Sequence, residues 1–210
     1  MKLYYSLFLL MMVTGCFNQP EKEYADILLE KNKDSEHFQL SEEDGWMDFE
    51  NVIVDKITIT KTEVIKIGEL VFIVLWDKKL SYSDNMGSYY GGIKKLKISL
   101  NNQLINEFDS IEDIIALGEI NIWIYDFNFD GFMDFTIPKE CGRSCVFNYY
   151  IFNPELNKFE LKDSWDSLRI QKINKITKEI LAHPELRDGR IMYKVDGLNL
   201  KKIKQEASYE

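Results

Sequence analysis

An antiparallel all-β domain is the fold class this sequence predicts, arranged as a sandwich or an incomplete β-propeller-like stack with one or two short helices. Three observations lead there. Apolar and polar residues alternate with period two along several runs, among them NVIVDKITIT (51–60) and KKLKISL (94–100), as they do in half-buried strands. Pairs that tolerate positive φ, Asn101 with Asn102 and Asp196 with Gly197, separate such runs at hairpin spacing. Runs of helical period are few. At 210 residues the chain is long enough for one domain with a sizeable core. No repeat of blade length occurs, so a regular propeller is not expected.

Taken in order, residues 1–15 carry one cation, Lys2, then an apolar run over 3–13, then Thr14 and Gly15 directly before Cys16. The apolar run is too short to span a bilayer and a small-residue cleavage site follows it, which predicts a secretory signal. VTGC resembles a bacterial lipobox, whose cysteine becomes the acylated first residue of the mature protein; an ordinary signal peptide cut elsewhere is the alternative. Stable attachment through Cys16 requires more than one acyl chain. Phe17 is not an aspartate, and resemblance to sorted lipoproteins then implies the periplasmic face of the outer membrane. Residues 16–45 are polar and charged apart from the short cluster at 27–29, and read as a tether. The folded domain is expected over 46–210.

Within that domain ELVFIVLW (69–76) is a continuous apolar run of the kind a strand covered on both faces carries. The sequence KKLKISLNNQLINEF (94–108) predicts a tight hairpin about its two asparagines. SIEDIIAL (110–117), with Ser110 as N-cap and Gly118 as stop, predicts a helix of two turns. CVFNYYIFNPELNKFEL (145–161) reads as two strands around a turn at Pro154. INKITKEILAH (173–183) suits a helix or a strand pair, and YKVDGLNLKKI (193–203) repeats the hairpin device.

The formal net charge is −9, and loss of Lys2 with the signal makes it more negative. Such a surface repels nucleic acid and anionic lipid and attracts cationic proteins, so no nucleic-acid role is expected and the membrane is met only through the anchor. Beyond Cys16 the chain holds Cys141 and Cys145 in CGRSC. In an oxidising compartment this short loop can close as a disulfide; two free thiols and a metal pair are the alternatives, although His37 and His183 are isolated in sequence.

The most distinctive stretch is YDFNFDGFMDF (125–135). Side-chain oxygens of Asp126, Asn128 and Asp130 recur at alternate positions, Gly131 permits a sharp turn, Phe132 offers a backbone carbonyl and Asp134 closes the set. Calcium takes six to eight oxygens, and a loop of this spacing wraps them about one point. An EF-hand is excluded, since position twelve is Ile137 and the flanks INIWIY and FMDFTIP look like strands rather than helices. The pattern D-x-N-x-D-G-x-x-D is that of β-rich extracellular modules, where calcium is structural. A metal-free turn in which the same side chains cap backbone amides is the alternative. Catalysis is not expected: acids two residues apart on one turn do not flank a substrate bond. There is no nucleophile elbow, zinc-protease motif or phosphate loop, and no enzyme activity is expected.

With its lipobox, β-rich body, WIYDFNFDGFMDF, YYIFNPELNKFE and DSWDSL, the chain resembles periplasmic calcium-loop lipoproteins that include inhibitors of lysozyme-like peptidoglycan hydrolases and immunity proteins against cell-wall-degrading toxins. The resemblance implies an incomplete propeller-like fold, calcium as cofactor, and binding to a basic lysozyme-like hydrolase in the cell envelope. Such inhibitors place a small residue and a tyrosine in the enzyme's sugar cleft. The corresponding candidate here is SYSDNMGSYYGG (81–92), in which Ser88, Tyr89 and Tyr90 would meet the partner; a plain hairpin loop with surface tyrosines is the alternative. The expected function is thus a membrane-anchored inhibitor, or failing that a calcium-stabilised envelope module that binds a saccharide or protein without inhibiting it.

Overall fold

The computed structural model describes residues 40–52, 54–141, 145–184 and 189–206. The expected signal segment, Cys16 with its lipidation, and the tether as far as residue 39 lie outside the described residues. Among those described, sixteen strands follow in chain order: β1 (Trp46–Asp48), β2 (Asp55–Ile59), β3 (Glu63–Ile67), β4 (Leu70–Asp77), β5 (Tyr82–Ser83), β6 (Ser88–Tyr89), β7 (Gly92–Leu100), β8 (Gln103–Glu112), β9 (Ile120–Tyr125), β10 (Asp134–Cys141), β11 (Cys145–Asn153), β12 (Lys158–Leu161), β13 (Arg169–Asn174), β14 (Glu179–His183), β15 (Ile191–Asp196) and β16 (Asn199–Gln205). All their pairings are antiparallel. The all-β, antiparallel expectation holds.

Three meanders make the body. The first sheet has the order β3-β4-β7-β8, the second β12-β11-β10-β9-β2 and the third β1-β13-β14-β15-β16, with β5 and β6 as a small separate ribbon. Each large sheet is thus four strands consecutive in chain order save for the ribbon's excursion, and the N-terminal strands β1 and β2 cover the opening edges of the third and second sheets. None of the sheets closes into a barrel.

The second sheet is the middle layer, because successive side chains on a strand point to opposite faces. Ile122, Ile124, Phe135, Ile137 and Phe152 share one core with Phe72, Val74, Leu96 and Ile98 of the first sheet. Tyr125, Phe147, Tyr149 and Ile151 share the other with Ile170, Ile173, Ile180 and Tyr193 of the third. The strands covered on both faces are therefore β9 to β11. The apolar run in β4 is not one of them: Phe72 and Val74 are buried, but Ile73 and Leu75 are 42% and 44% exposed. Their cross-strand neighbours on the outer face are Lys97 and Lys95, whose aliphatic stems can lie along such residues while the charge stays in water. Lys95 in turn pairs with Glu107.

Hairpin positions follow the turn chemistry. Asn101 and Asn102 both adopt positive φ, 51° and 64°, and join the paired residues Leu100 and Gln103, as a type I′ turn demands. At the last hairpin Asp196 pairs with Asn199, so the turn is centred on Gly197 and Leu198, one residue later than expected.

The helix expected over 110–117 is absent. β8 continues to Glu112, with Ile111 paired to Ile93 and buried. Beyond it the Asp113 carboxylate accepts from the N–H groups of Ile115 (3.1 Å), Gly118 (2.6 Å) and Glu119 (3.3 Å). A short acidic side chain that captures nearby amides offers the backbone an alternative to a helix, and burial of Ile111 in the first core keeps the strand extended. Among the described residues the helical elements are single 3₁₀ turns at Phe49–Asn51 and Asp163–Trp165. INKITKEILAH is the strand pair β13–β14, turned at Asn174, whose Oδ1 accepts from the N–H groups of Ile176 and Thr177 at 3.0 Å each.

Candidate metal centre and partner loop

Residues 126–133 connect β9 to β10, whose last paired residues are Tyr125 and Asp134. Aromatic and oxygen-bearing side chains alternate along this loop. Phe127 is buried in the core against Tyr149, ring centroids 4.8 Å apart and edge to face. Asp126 is half-buried and Asp130 exposed. Phe129 and Gly131 have φ of 57° and 95°, and the second of these is a region glycine enters at no steric cost.

Asp134 is fully buried. Its carboxylate accepts from Phe127 N–H at 2.8 Å, Asn128 N–H at 3.4 Å and Phe152 N–H at 2.8 Å. Burial pushes its pKa well above the usual carboxylate range; the Phe152 and Phe127 amides oppose this, and the nearby charges of Asp130 and Asp126 add to it. Asp126 accepts from the N–H groups of Asp130 and Gly131, both at 2.9 Å. Asp130 accepts from Phe132 N–H at 2.9 Å and from Asn128 Nδ2 at 2.8 Å. The loop is also tied to the third sheet. Lys178 Nζ donates to the Phe129 carbonyl at 3.0 Å, and Asn128 Nδ2 reaches the Gly197 carbonyl at 3.4 Å.

Two observations bear on whether a cation fits. Asn128 is 2% exposed, and its Oδ1 is buried with no hydrogen-bond partner. A buried acceptor left unmade costs about 1–3 kcal/mol, a cost that a cation would remove. Three carboxylates and this amide oxygen are all hard oxygen donors, the set that calcium takes. Against this, no three His, Cys, Asp or Glu side chains stand as a ready-made ligand cluster among the described residues. The carboxylate oxygens are instead turned to the loop's own amides, which holds the backbone in a wrapped form.

The candidate partner residues lie elsewhere, on the excursion between β4 and β7. Ser88 and Tyr89 form β6, paired with Ser83 and Tyr82 of β5. The rings of Tyr82 and Tyr89 pack at 4.8 Å and are 54% and 55% exposed, with Met86 at the tip 70% exposed. Tyr90 is half-buried, and its N–H donates to the Ser81 carbonyl at 3.2 Å. At the base, Gly91 (φ 90°) lies against the Trp76 indole so closely that a Cβ would stand 2.6 Å from the ring. The outward tyrosine pair is thus Tyr82 with Tyr89, not Tyr89 with Tyr90. Tyr82 was legible as part of the same segment, but its pairing across the ribbon was not.

Cys141 and Cys145 are disulfide-bonded at the turn end of hairpin β10–β11, with Cα atoms 4.0 Å apart, and the residues between them lie outside those described. They are cross-strand partners in the register. His183 ends β14, paired with Arg169, away from the acidic loop in sequence and sheet.

No family model, no curated protein and no solved structure matches the chain.

Proposed function

We propose that this protein is a calcium-stabilised cell-envelope lipoprotein, anchored through Cys16 at the periplasmic face of the outer membrane, that binds and inhibits a basic lysozyme-like peptidoglycan hydrolase. The observation that carries the reading is the loop over 126–134, whose sequence supplies three carboxylates and in which the buried Asn128 Oδ1 lacks a hydrogen-bond partner. Asp126, Asn128, Asp130, the Phe132 carbonyl and Asp134 would hold the ion. Calcium supplies charge neutralisation and a cross-link there, with no part in turnover, and the chain acts by binding. The consequence is mechanical: a fixed loop keeps the middle sheet tied to the turns at Lys178 and Gly197 of the third.

Binding to a basic enzyme is supported by the net charge of −9 and by the exposed Tyr82–Tyr89 pair with Ser88 beside it. Tyrosines bring large contact area at small entropic cost. The test is turnover of purified peptidoglycan by a panel of muramidases with and without the full-length chain, in calcium and in chelator. Slowed turnover that Tyr89→Ala relieves is the expected result. Retention on peptidoglycan with every enzyme unaffected would replace inhibition by the non-inhibitory binding role. Asp130→Ala is expected to abolish the rise in melting temperature that calcium produces, and identical melting curves for the native chain in calcium and chelator would remove the metal from the reading.

A further inference from the structure

A second surface, separate from the tyrosine ribbon, has the properties of a binding seat. Beside the acidic loop opens a cleft of about 300 Å³. Phe152 and Phe159, 4% and 3% exposed, form its floor, and Leu100 and Phe132 contribute its walls. Phe132 is 46% exposed although its ring packs 5.4 Å from that of Phe152. The volume is at the bottom of the range of about 300–1,000 Å³ for small-molecule sites. It therefore suits one large side chain better than a whole ligand, which is how an anchor residue seats in a protein interface.

Charge narrows the occupant. Asp55 and Glu69 line the same cleft and are exposed, no lysine or arginine lines it, and neither carboxylate makes an ion pair among the described residues. A low-dielectric wall beside carboxylates of one sign concentrates a negative field at the opening. We propose that this cleft receives one leucine or aromatic side chain of a cationic segment of a partner protein, with flanking lysines or arginines set against Asp55 and Glu69. The inference rests on the reading of the chain as a binding protein and locates the anchor of its basic partner. Phe132 couples the seat to the acidic loop, because the residue whose carbonyl would be offered to the ion also lines the cleft.

The experiment uses the full-length chain and a dye-labelled peptide with one phenylalanine between lysines, followed by fluorescence anisotropy. Saturable binding is expected, weakened about tenfold when alanine replaces the phenylalanine, as one buried aromatic side chain implies. The double variant Asp55→Lys, Glu69→Lys alters only exposed positions; it should keep its melting temperature and lose binding by a similar factor. Equal binding of the alanine peptide, unchanged binding by the charge-reversed variant, or a shift to dimers in sedimentation that Phe132→Ala abolishes would each overturn the proposal, the last by assigning the cleft to a second copy. If peptide binding behaves as expected while no hydrolase is slowed, inhibition fails and the cleft stands. If a hydrolase is slowed equally by the native and charge-reversed chains, the cleft fails and inhibition stands.

Discussion

Asp134 is the side chain on which the acidic loop turns. It is buried, and it satisfies amides from two separate segments, Phe127 within the loop and Phe152 on β11. Asp134→Ala leaves those N–H groups buried and unmade, and the expected loss is about 2–5 kcal/mol in urea denaturation; a loss under about 1 kcal/mol would mean that water replaces the carboxylate freely. The sequence marked this residue as a ligand by its spacing. Its contact with the Phe152 amide depends on β11 and could not be read from the loop. Glu160 carries a pH dependence of the opposite kind from that of a buried acid. The Asn153 side chain, then Lys162 and Lys158, hold its pKa down to about 2 from 4.5. A depressed carboxyl stabilises the fold above its unfolded value, and that contribution disappears as pH falls from about 4.5 towards 2. The pair is near the surface, so the expected size is under about 1 kcal/mol. Glu160→Gln should flatten this arm of the stability–pH curve in chemical denaturation between those values, and a variant that loses stability in parallel with the native chain would remove Glu160 as its source.

Elements were legible where local chemistry and burial agree. Two asparagines in positive φ close β7 on β8, and Pro154 begins the turn at 154–157 between β11 and β12. The segment over 110–117 carries the cap and stop of a short helix, Ser110 and Gly118, but pairing with β7 draws Ile111 into a sheet core and Asp113 seizes the amides that a helix would need. Local propensity is a weak prior against a long-range pairing that buries an isoleucine. Hairpin β10–β11 is held at its turn end by the Cys141–Cys145 bridge. The chain-entropy model gives about 2 kcal/mol for so short a loop. Cys141→Ser with Cys145→Ser is expected to lower stability by about that amount, and addition of reductant to the native chain should match it; no change in either measurement would show that strand pairing alone sets the hairpin.

Across the molecule, the middle sheet belongs to two cores at once. Phe72 and Phe135 meet edge to face on one side of it, and Trp165, fully buried, packs near Tyr149 on the other while its Nε1 donates to the Leu198 carbonyl at 3.0 Å. A layer shared by both cores couples them, since loss of either exposes one face of the same strands. Phe72→Ala and Trp165→Ala are each expected to cost about 3–5 kcal/mol. Both should shift one transition, seen alike by circular dichroism and tryptophan fluorescence. Two separate transitions, each moved by one variant only, would mean that the outer sheets unfold independently.

Alternation of apolar residues, turn pairs and the spacing of acids specified the antiparallel strands, most hairpins and the loop over 126–134, because each of these depends on residues within a few positions of one another. Which strands lie in the middle could not be read that way. The most apolar run, β4, faces solvent on one side, while β9 to β11, with their asparagines and tyrosines, are covered on both. The cleft between the acidic loop and the β3–β4 turn, and the pairing of Tyr82 with Tyr89, likewise arise from segments far apart or folded across a ribbon. The stacking order of sheets is settled by which faces bury the most apolar surface together, and that comparison exists only once all three are formed.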